Sequence, residues 1–250
     1  MKKCSLFVVT MLAVLLPALA WAQTPTFIRM WGSYGSGNGQ FRSSRDVGVA
    51  TDGTIYAVDG YNNRIQIFSA VGTYLGQWGS AGSAEGQFSY PVGIVVSPSG
   101  DVYVADTGNH RIQQFTAAGT FVRQWGSLGT GNGQFNYPRG LAMNAAGTEL
   151  YVVDGYNNRV QVFGPTGNYL RQWGSYGKLD GQFNYPFGIA LDGSGTVYVA
   201  DTGNHRIQVF TGTGTLVTLW GSYGTGDGQF KQPFGVAVES FHGLVCVSDF

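Results

Sequence analysis

The sequence predicts an all-β fold, a propeller of four-stranded blades, and three observations carry that prediction. Trp-Gly-Ser recurs at Trp31, Trp78, Trp125, Trp173 and Trp220, at spacings of 47, 47, 48 and 47 residues. Within each interval, four short runs rich in Val, Ile, Tyr and Phe are set apart by turn residues. The 250 residues include 40 Gly and 14% aromatics but only 11% charged residues, against roughly 25% charged in an average soluble domain. A fixed period of this length marks a repeat architecture. Helical repeats would not tolerate the glycine content, since each Gly inside a helix costs about 1 kcal/mol relative to Ala. Four antiparallel strands per period make one blade.

Before the first repeat, Lys2 and Lys3 precede an apolar run from Leu6 to Leu16, and Ala20-Trp21-Ala22 supplies small residues for signal peptidase. Residues 1–22 are therefore read as a bacterial-type secretory signal, cleaved before Gln23, and 23–250 as the propeller. The run is too short to span a bilayer comfortably. Secretion to the periplasm or exterior, with no membrane insertion after cleavage, is the expectation. Removing Lys2 and Lys3 leaves 12 basic against 14 acidic residues, a net charge of −2. It also removes Cys4 and leaves Cys246 alone, so no internal disulfide is expected.

The second unit shows the strand pattern: Gly93–Ser97, Asp101–Ala105, Arg111–Phe115 and Thr120–Trp125, joined by Pro-Ser-Gly, Thr-Gly-Asn and Ala-Ala-Gly turns. Gln-Phe follows each Trp by nine residues, and an Asp follows it by 28 or 29: Asp59, Asp106, Asp154, Asp201 and Asp249. The first four of these open Asp-x-x-Asn-x-Arg, with Asn62 and Arg64, Asn109 and Arg111, Asn157 and Arg159, and Asn204 and Arg206. Asn suits a left-handed turn position, and Asp and Arg at the two strand ends can pair across the hairpin. Recurrence makes this set structural, because a catalytic site needs unique residues. The five Trp are likewise read as packing between blades, each burying about 150–250 Å².

The unit Trp-Gly-Ser-x-Gly, Gly-Gln-Phe-x-x-Pro-x-Gly and Val-Tyr-Val-Ala-Asp-Thr-Gly-Asn-His-Arg-Ile-Gln-Val-Phe resembles the NHL repeat over everything after residue 26. The resemblance implies a β-propeller, most often six-bladed, acting chiefly as a binding platform for protein or RNA, with some propeller relatives hydrolases or lyases. The first unit departs from the pattern, with Ser44-Arg45-Asp46 where later units have Pro-x-Gly. Odd units carry Asp-Gly-Tyr-Asn-Asn-Arg and even units Asp-Thr-Gly-Asn-His-Arg, so the same version returns every 95 residues and points to a duplicated two-blade unit. The chain divides into the last strand of one blade (Thr26 to Trp31), four full blades and the start of a fifth. Against a six-bladed ring it reads as truncated.

No cofactor and no metal are expected. His110 and His205 occupy equivalent turns in different blades and His242 stands alone, whereas zinc needs three or four convergent ligands. Gly226-Asp227-Gly228 and Leu179-Asp180-Gly181 lack the further carboxylates of a calcium loop and are read as turns. The absence of basic excess excludes nucleic acid as a partner.

The hairpin turn between second and third strands and the crossover to the next blade should share one face of the disc, the usual place for recognition. Two sets of positions vary there. The residue opening the first strand is Arg45, Val92, Arg139, Phe187 or Phe234, expected to ring the channel mouth. The fourth residue of the Trp-Gly-Ser-x loop is Tyr34, Ala81, Leu128, Tyr176 or Tyr223. Arg, Phe and Tyr at exposed, concave positions suit a binding surface. The leading expectation is a secreted, non-catalytic module or scaffold binding a protein, peptide or glycan. The alternatives are a lactonase- or lyase-like enzyme whose site lies partly in a missing C-terminal segment, and a structural surface module.

Overall fold

The computed structural model describes residues 30–239 and 243–249, together with the backbone course of residues 4–8. Four antiparallel four-stranded sheets follow one another along the chain, each a meander whose strands pair in sequence order. Blade one comprises Ser44–Val49, Ile55–Asp59, Arg64–Phe68 and Tyr74–Trp78. Blade two comprises Ile94–Val96, Val102–Asp106, Arg111–Phe115 and Phe121–Trp125. Blade three comprises Pro138–Met143, Leu150–Asp154, Arg159–Phe163 and Tyr169–Trp173. Blade four comprises Ile189–Leu191, Val197–Asp201, Arg206–Phe210 and Leu216–Trp220. A fifth sheet holds Pro233–Glu239 and Leu244–Asp249, with Cys4–Val8 paired antiparallel to the latter.

Of the expected signal segment 1–22, Cys4–Val8 alone lies among the described residues. The cleavage position before Gln23 and most of the expected strand Thr26 to Trp31 lie outside them, as does His242.

Burial explains the sequence of each strand. The second and third strands of a blade are covered on both faces by neighbouring blades, so Val102–Asp106 and Arg111–Phe115 are buried throughout; Val102–Ala105 is a continuous apolar run, whereas Arg111, Gln113 and Gln114 are buried polar side chains. The fourth strand lies at the rim, and Tyr74–Trp78 alternates half-buried and exposed side chains. The core is accordingly divided into slabs between blades. One slab joins Tyr56, Val58 and Ile65 of blade one to Ile94, Val102, Val104 and Phe115 of blade two, with Phe88 from the crossover. Equivalent slabs join blades two and three, three and four, and four and the fifth sheet.

The repeated Trp closes each slab. The Trp78 ring lies 5.7 Å from Tyr56 in its own blade and 5.8 Å from Phe115 in the next. Trp125 and Trp173 make the same contacts with Tyr103 and Phe163, and with Tyr151 and Phe210. Trp220 packs on Tyr198, whereas Trp31, ahead of blade one, is 41% exposed and reaches Phe68 at 6.4 Å. The indole also fixes a turn in the following blade. A Cβ on Gly119 (φ +83°) would lie 2.7 Å from the Trp78 ring, so the turn closing the third hairpin of blade two must be glycine.

Candidate binding site at the channel mouth

One hairpin network, present in four blades, sets the shape of the face that carries the hairpin turns and crossovers. In blade two, Asp106 accepts from Asn109 Nδ2 (2.9 Å), Arg111 Nε (2.7 Å), Gln113 Nε2 (3.0 Å) and the Ser89 backbone N–H (2.7 Å). Arg111 spends its other donors on the carbonyls of Ser83, Ala84 and Gln87 and on Gln124 Oε1, all within 2.6–2.9 Å. Asn109 also donates to the Gly82 carbonyl at 2.9 Å. The hairpin therefore clamps the incoming crossover, which puts both loops on one face. Asp59–Arg64, Asp154–Arg159 and Asp201–Arg206 repeat the ion pair at 2.8 Å. Blade four differs at one point: Leu219 stands where Gln77, Gln124 and Gln172 accept from Arg, and Arg206 instead lies 3.9 Å from Asp180.

The turn itself corrects one sequence expectation. Asn62, Asn109, Asn157 and Asn204 each end a 3-10 turn, and the left-handed residue is the next one: Asn63, His110, Asn158 or His205, at φ 52–58°. The motif Asn is held to its Asp instead. The buried Gln66, Gln113, Gln161 and Gln208, two residues past each Arg, complete the network. Their signal was the recurring Arg-x-Gln, hidden because Gln on a strand usually reads as solvent-facing.

Above these turns the first strands converge on a channel. A cavity of about 630 Å³ runs between Ser44–Val49, Val92–Val96, Gly140–Met143, Phe187–Leu191 and Phe234–Val238. A second cavity, about 620 Å³, forms its mouth and is lined by all five strand-opening residues, Arg45, Val92, Arg139, Phe187 and Phe234. Bulges explain their aim. The pairing of first with second strand skips between Pro138 and Leu141, between Ser44 and Val47, and between Pro233 and Val236. Each skip turns Arg139, Arg45 or Phe234 out of the ladder and over the opening.

The mouth also contains rings that sequence reasoning passed over. Tyr90, Tyr137 and Tyr185 precede Pro91, Pro138 and Pro186, where extended backbone is the norm. They adopt φ of 50°, 54° and 57°, held by N–H bonds to Asn63 Oδ1, His110 Nδ1 and Asn158 Oδ1. This left-handed turn swings the ring onto the hairpin of the preceding blade: Tyr90 lies 5.2 Å from Tyr61, and Tyr185 lies 4.6 Å from Tyr156. Tyr137 sits 4.7 Å from Tyr156 and 4.6 Å from His110. The Arg139 guanidinium lies 4.7 Å from Tyr185, 4.7 Å from Phe187 and 5.5 Å from Tyr156, and Arg45 lies 4.9 Å from Tyr90, within cation–π range. Among the described residues neither arginine has an ion-pair partner. Burial, and then the neighbouring charge of Arg45, pull the Arg139 guanidinium below its usual range, against the rings that raise it. Burial pushes the Tyr185 hydroxyl up, with Tyr156 adding to it.

Tyr34, Tyr176 and Tyr223 lie apart from this cavity. Residues at that position form a parallel bridge to the Phe of Gln-Phe, which holds the rings on the outer surface of the crossover, 79%, 72% and 68% exposed. The five Trp and the Asp-Asn-Arg sets also lie away from the mouth, in the slabs and beneath the loops. Among the described residues no three His, Cys, Asp or Glu side chains come together as metal ligands.

Asp46 is the carboxylate of the inner channel. It occupies the position held by Gly93, Gly140 and Gly188 in later blades and bridges to blade two, accepting from the Ile94 N–H at 3.1 Å and from Val47 at 2.9 Å. Burial raises its pKa to about 6 from an ordinary 3.8, against those two hydrogen bonds. A raised folded-state value means stability is greatest below the unfolded pKa and is lost as pH climbs through about 6. The shift sets an upper bound near 3 kcal/mol, and partial solvation reduces it to about 1–2 kcal/mol. Urea melts at pH 4 and pH 7.5 should therefore show wild type losing about 1–2 kcal/mol relative to Asp46→Gly as pH rises. A difference that stays flat with pH would refute a buried, shifted carboxylate.

Slabs of packed blades around a channel define a β-propeller. Residues 88–115, 135–163 and 183–210 match the NHL repeat, so the propeller carries three NHL repeats. No curated protein sequence matches it. Among solved structures it is similar to a catalytically inactive virginiamycin B lyase from Staphylococcus aureus with quinupristin, at 18% identity and TM-score 0.60, over 82% of this chain and 62% of that one. It is similar to a nidogen/laminin complex at 19% identity and TM-score 0.58, over 79% and 68% of the two chains. It is also similar to an auxiliary nutrient binding protein from Bacteroides thetaiotaomicron at 13% and 0.62, over 84% and 57%. At these identities the likeness is one of fold. The chain spans 62% of the length of two of the lyase structures it matches.

Proposed function

We propose that this chain is an exported, non-catalytic binding module that holds a peptide or glycan ligand, free or on a protein partner, in the channel mouth. The observation that carries the reading is the lining of the mouth cavity: two arginines, four tyrosines and two phenylalanines around about 620 Å³, with no carboxylate or imidazole among them. The general base of a hydrolase or lyase is most often an imidazole or a carboxylate, and this lining offers aromatic area and fixed cations in their place. The size is that of an ordinary ligand pocket. The basic start, apolar run and Ala-x-Ala of residues 1–22 support export.

The test is a mixed peptide and glycan array probed with the purified chain and with Phe187→Ala. Features retained by wild type and lost by at least tenfold in the variant are the expected result. An array with no retained features, or with the same features retained by both proteins, would overturn the reading.

A further inference from the structure

The two-blade duplication has produced two copies of one cluster, and both reach the mouth cavity, the first through its Arg and crossover Tyr and the second through all three residues. Arg45, Tyr61 and Tyr90 form the first, with contacts of 4.9 and 5.2 Å. Arg139, Tyr156 and Tyr185 form the second, with contacts of 4.7 and 4.6 Å. In each, an arginine turned out by a strand bulge covers the left-handed Tyr of the next crossover, which leans on the hairpin Tyr of its own blade. Both arginines border the same cavity, and they are near enough for the charge of Arg45 to disfavour that of Arg139. Among the described residues no carboxylate neutralises either one.

Resting on the binding role proposed above, we infer that the ligand is an acidic oligosaccharide, whose repeated carboxylates are read by the two Arg-Tyr-Tyr clusters. Two like charges facing one cavity without a counter-charge are complementary to an anion. Guanidinium and carboxylate match as paired donors and acceptors. Equivalent clusters suit a ligand that offers the same group more than once, as a uronate oligomer does without any sequence. The tyrosines offer flat apolar faces to sugar rings, and Tyr137, Tyr156 and Tyr185 remain 36–42% exposed to do so. A single-stranded nucleic acid is also periodic and stackable. It is held through many phosphates, however, and this chain has no basic excess, with 14 Lys+Arg against 14 Asp+Glu.

Calorimetric titration of the whole chain with tri-galacturonate, neutral galactotriose, hexaglutamate and a thymidine hexanucleotide tests the inference. Tri-galacturonate is expected to bind at least tenfold more tightly than the other three. That affinity should fall about tenfold or more in Arg45→Gln and again in Arg139→Gln, and decline with added salt. Circular dichroism and melting temperature check that each variant folds. Tri-galacturonate binding no tighter than galactotriose, unchanged binding in both folded arginine variants, or tighter binding of the peptide or oligonucleotide would each overturn the inference. The binding reading is judged separately. If galactotriose binds equally and Phe187→Ala abolishes it, the mouth still binds and only the acidic class fails. If tri-galacturonate binds and Phe187→Ala leaves it untouched, both fail. If no probe binds, the acidic class fails and the array decides the mouth.

Discussion

Asp106→Ala should destabilise the protein by about 3–5 kcal/mol, the loss characteristic of removing one partner from a buried ion pair. The Asp106 side chain is fully buried and Arg111 nearly so. All five Arg111 N–H groups are engaged, one by Asp106 and four by Gln124 and three crossover carbonyls. Alanine leaves the guanidinium positive, desolvated and without the one countercharge it has among the described residues. It also strands the Ser89 N–H and takes one of two acceptors from Asn109 Nδ2 and from Gln113 Nε2, which keep the Gly82 and Gln87 carbonyls. Arg111 still reaches the carbonyls of Ser83, Ala84 and Gln87, but the crossover loses the bond from the Ser89 N–H to the hairpin carboxylate. Asp249→Ala is the control, because its carboxylate accepts only exposed bonds from the Lys231 and Gln232 N–H groups, so about 1 kcal/mol or less is expected. Chemical denaturation of the two variants measures both. Equal losses would show that the hairpin network contributes little beyond a surface turn.

The second large effect is expected at Gly93. A Cβ there would stand 2.0 Å from the carbonyl oxygen of Arg139 and 3.0 Å from its carbonyl carbon. The obstacle is backbone, so no rotamer relieves it, and the first strands of blades two and three must separate. Gly93→Ala should therefore reach or exceed the upper end of the usual overpacking range, about 3 kcal/mol. It should also displace Arg139 and so weaken any ligand of the mouth. Gly140 and Gly188 face Phe187 and Phe234 carbonyls in the same way, at 2.6 and 2.3 Å. The measurement is denaturation of Gly93→Ala beside Gly100→Ala, a turn glycine with open space around its Cβ position. Gly100 carries only the strain of its left-handed φ of +92°, so a loss at Gly93 no larger than that at Gly100 would show that the approach of the neighbouring blade does not require glycine at 93.

Blade one shows why that comparison is informative. Its Asp46 stands where Gly93 stands, and the side chain is accommodated because it replaces a close backbone approach with a carboxylate bridge to Ile94. The substitution was visible in the sequence as a departure from Pro-x-Gly. Its consequence, a carboxylate turned into an apolar channel, was not, because the channel exists only once five strands converge.

The sequence by itself determined the blade. Its period, its four strands and the placing of Trp, Asp and Arg are local and repeated, and each unit solves the same packing problem against the next. It also carried the strand-opening residues of the mouth, since comparing units isolates the positions that the scaffold leaves free. Tertiary structure alone decided three further things. It placed the left-handed residue one past the motif Asn, because the Asn amide is drawn to the Asp carboxylate. It sent Tyr34, Tyr176 and Tyr223 outward, because each crossover bridges to its own Phe. It brought Tyr90, Tyr137 and Tyr185 inward, because their N–H groups donate to side chains of the preceding hairpin and so hold a backbone conformation that a residue before proline seldom takes. The mouth is made of side chains from different blades, and no single repeat contains the contacts that define it.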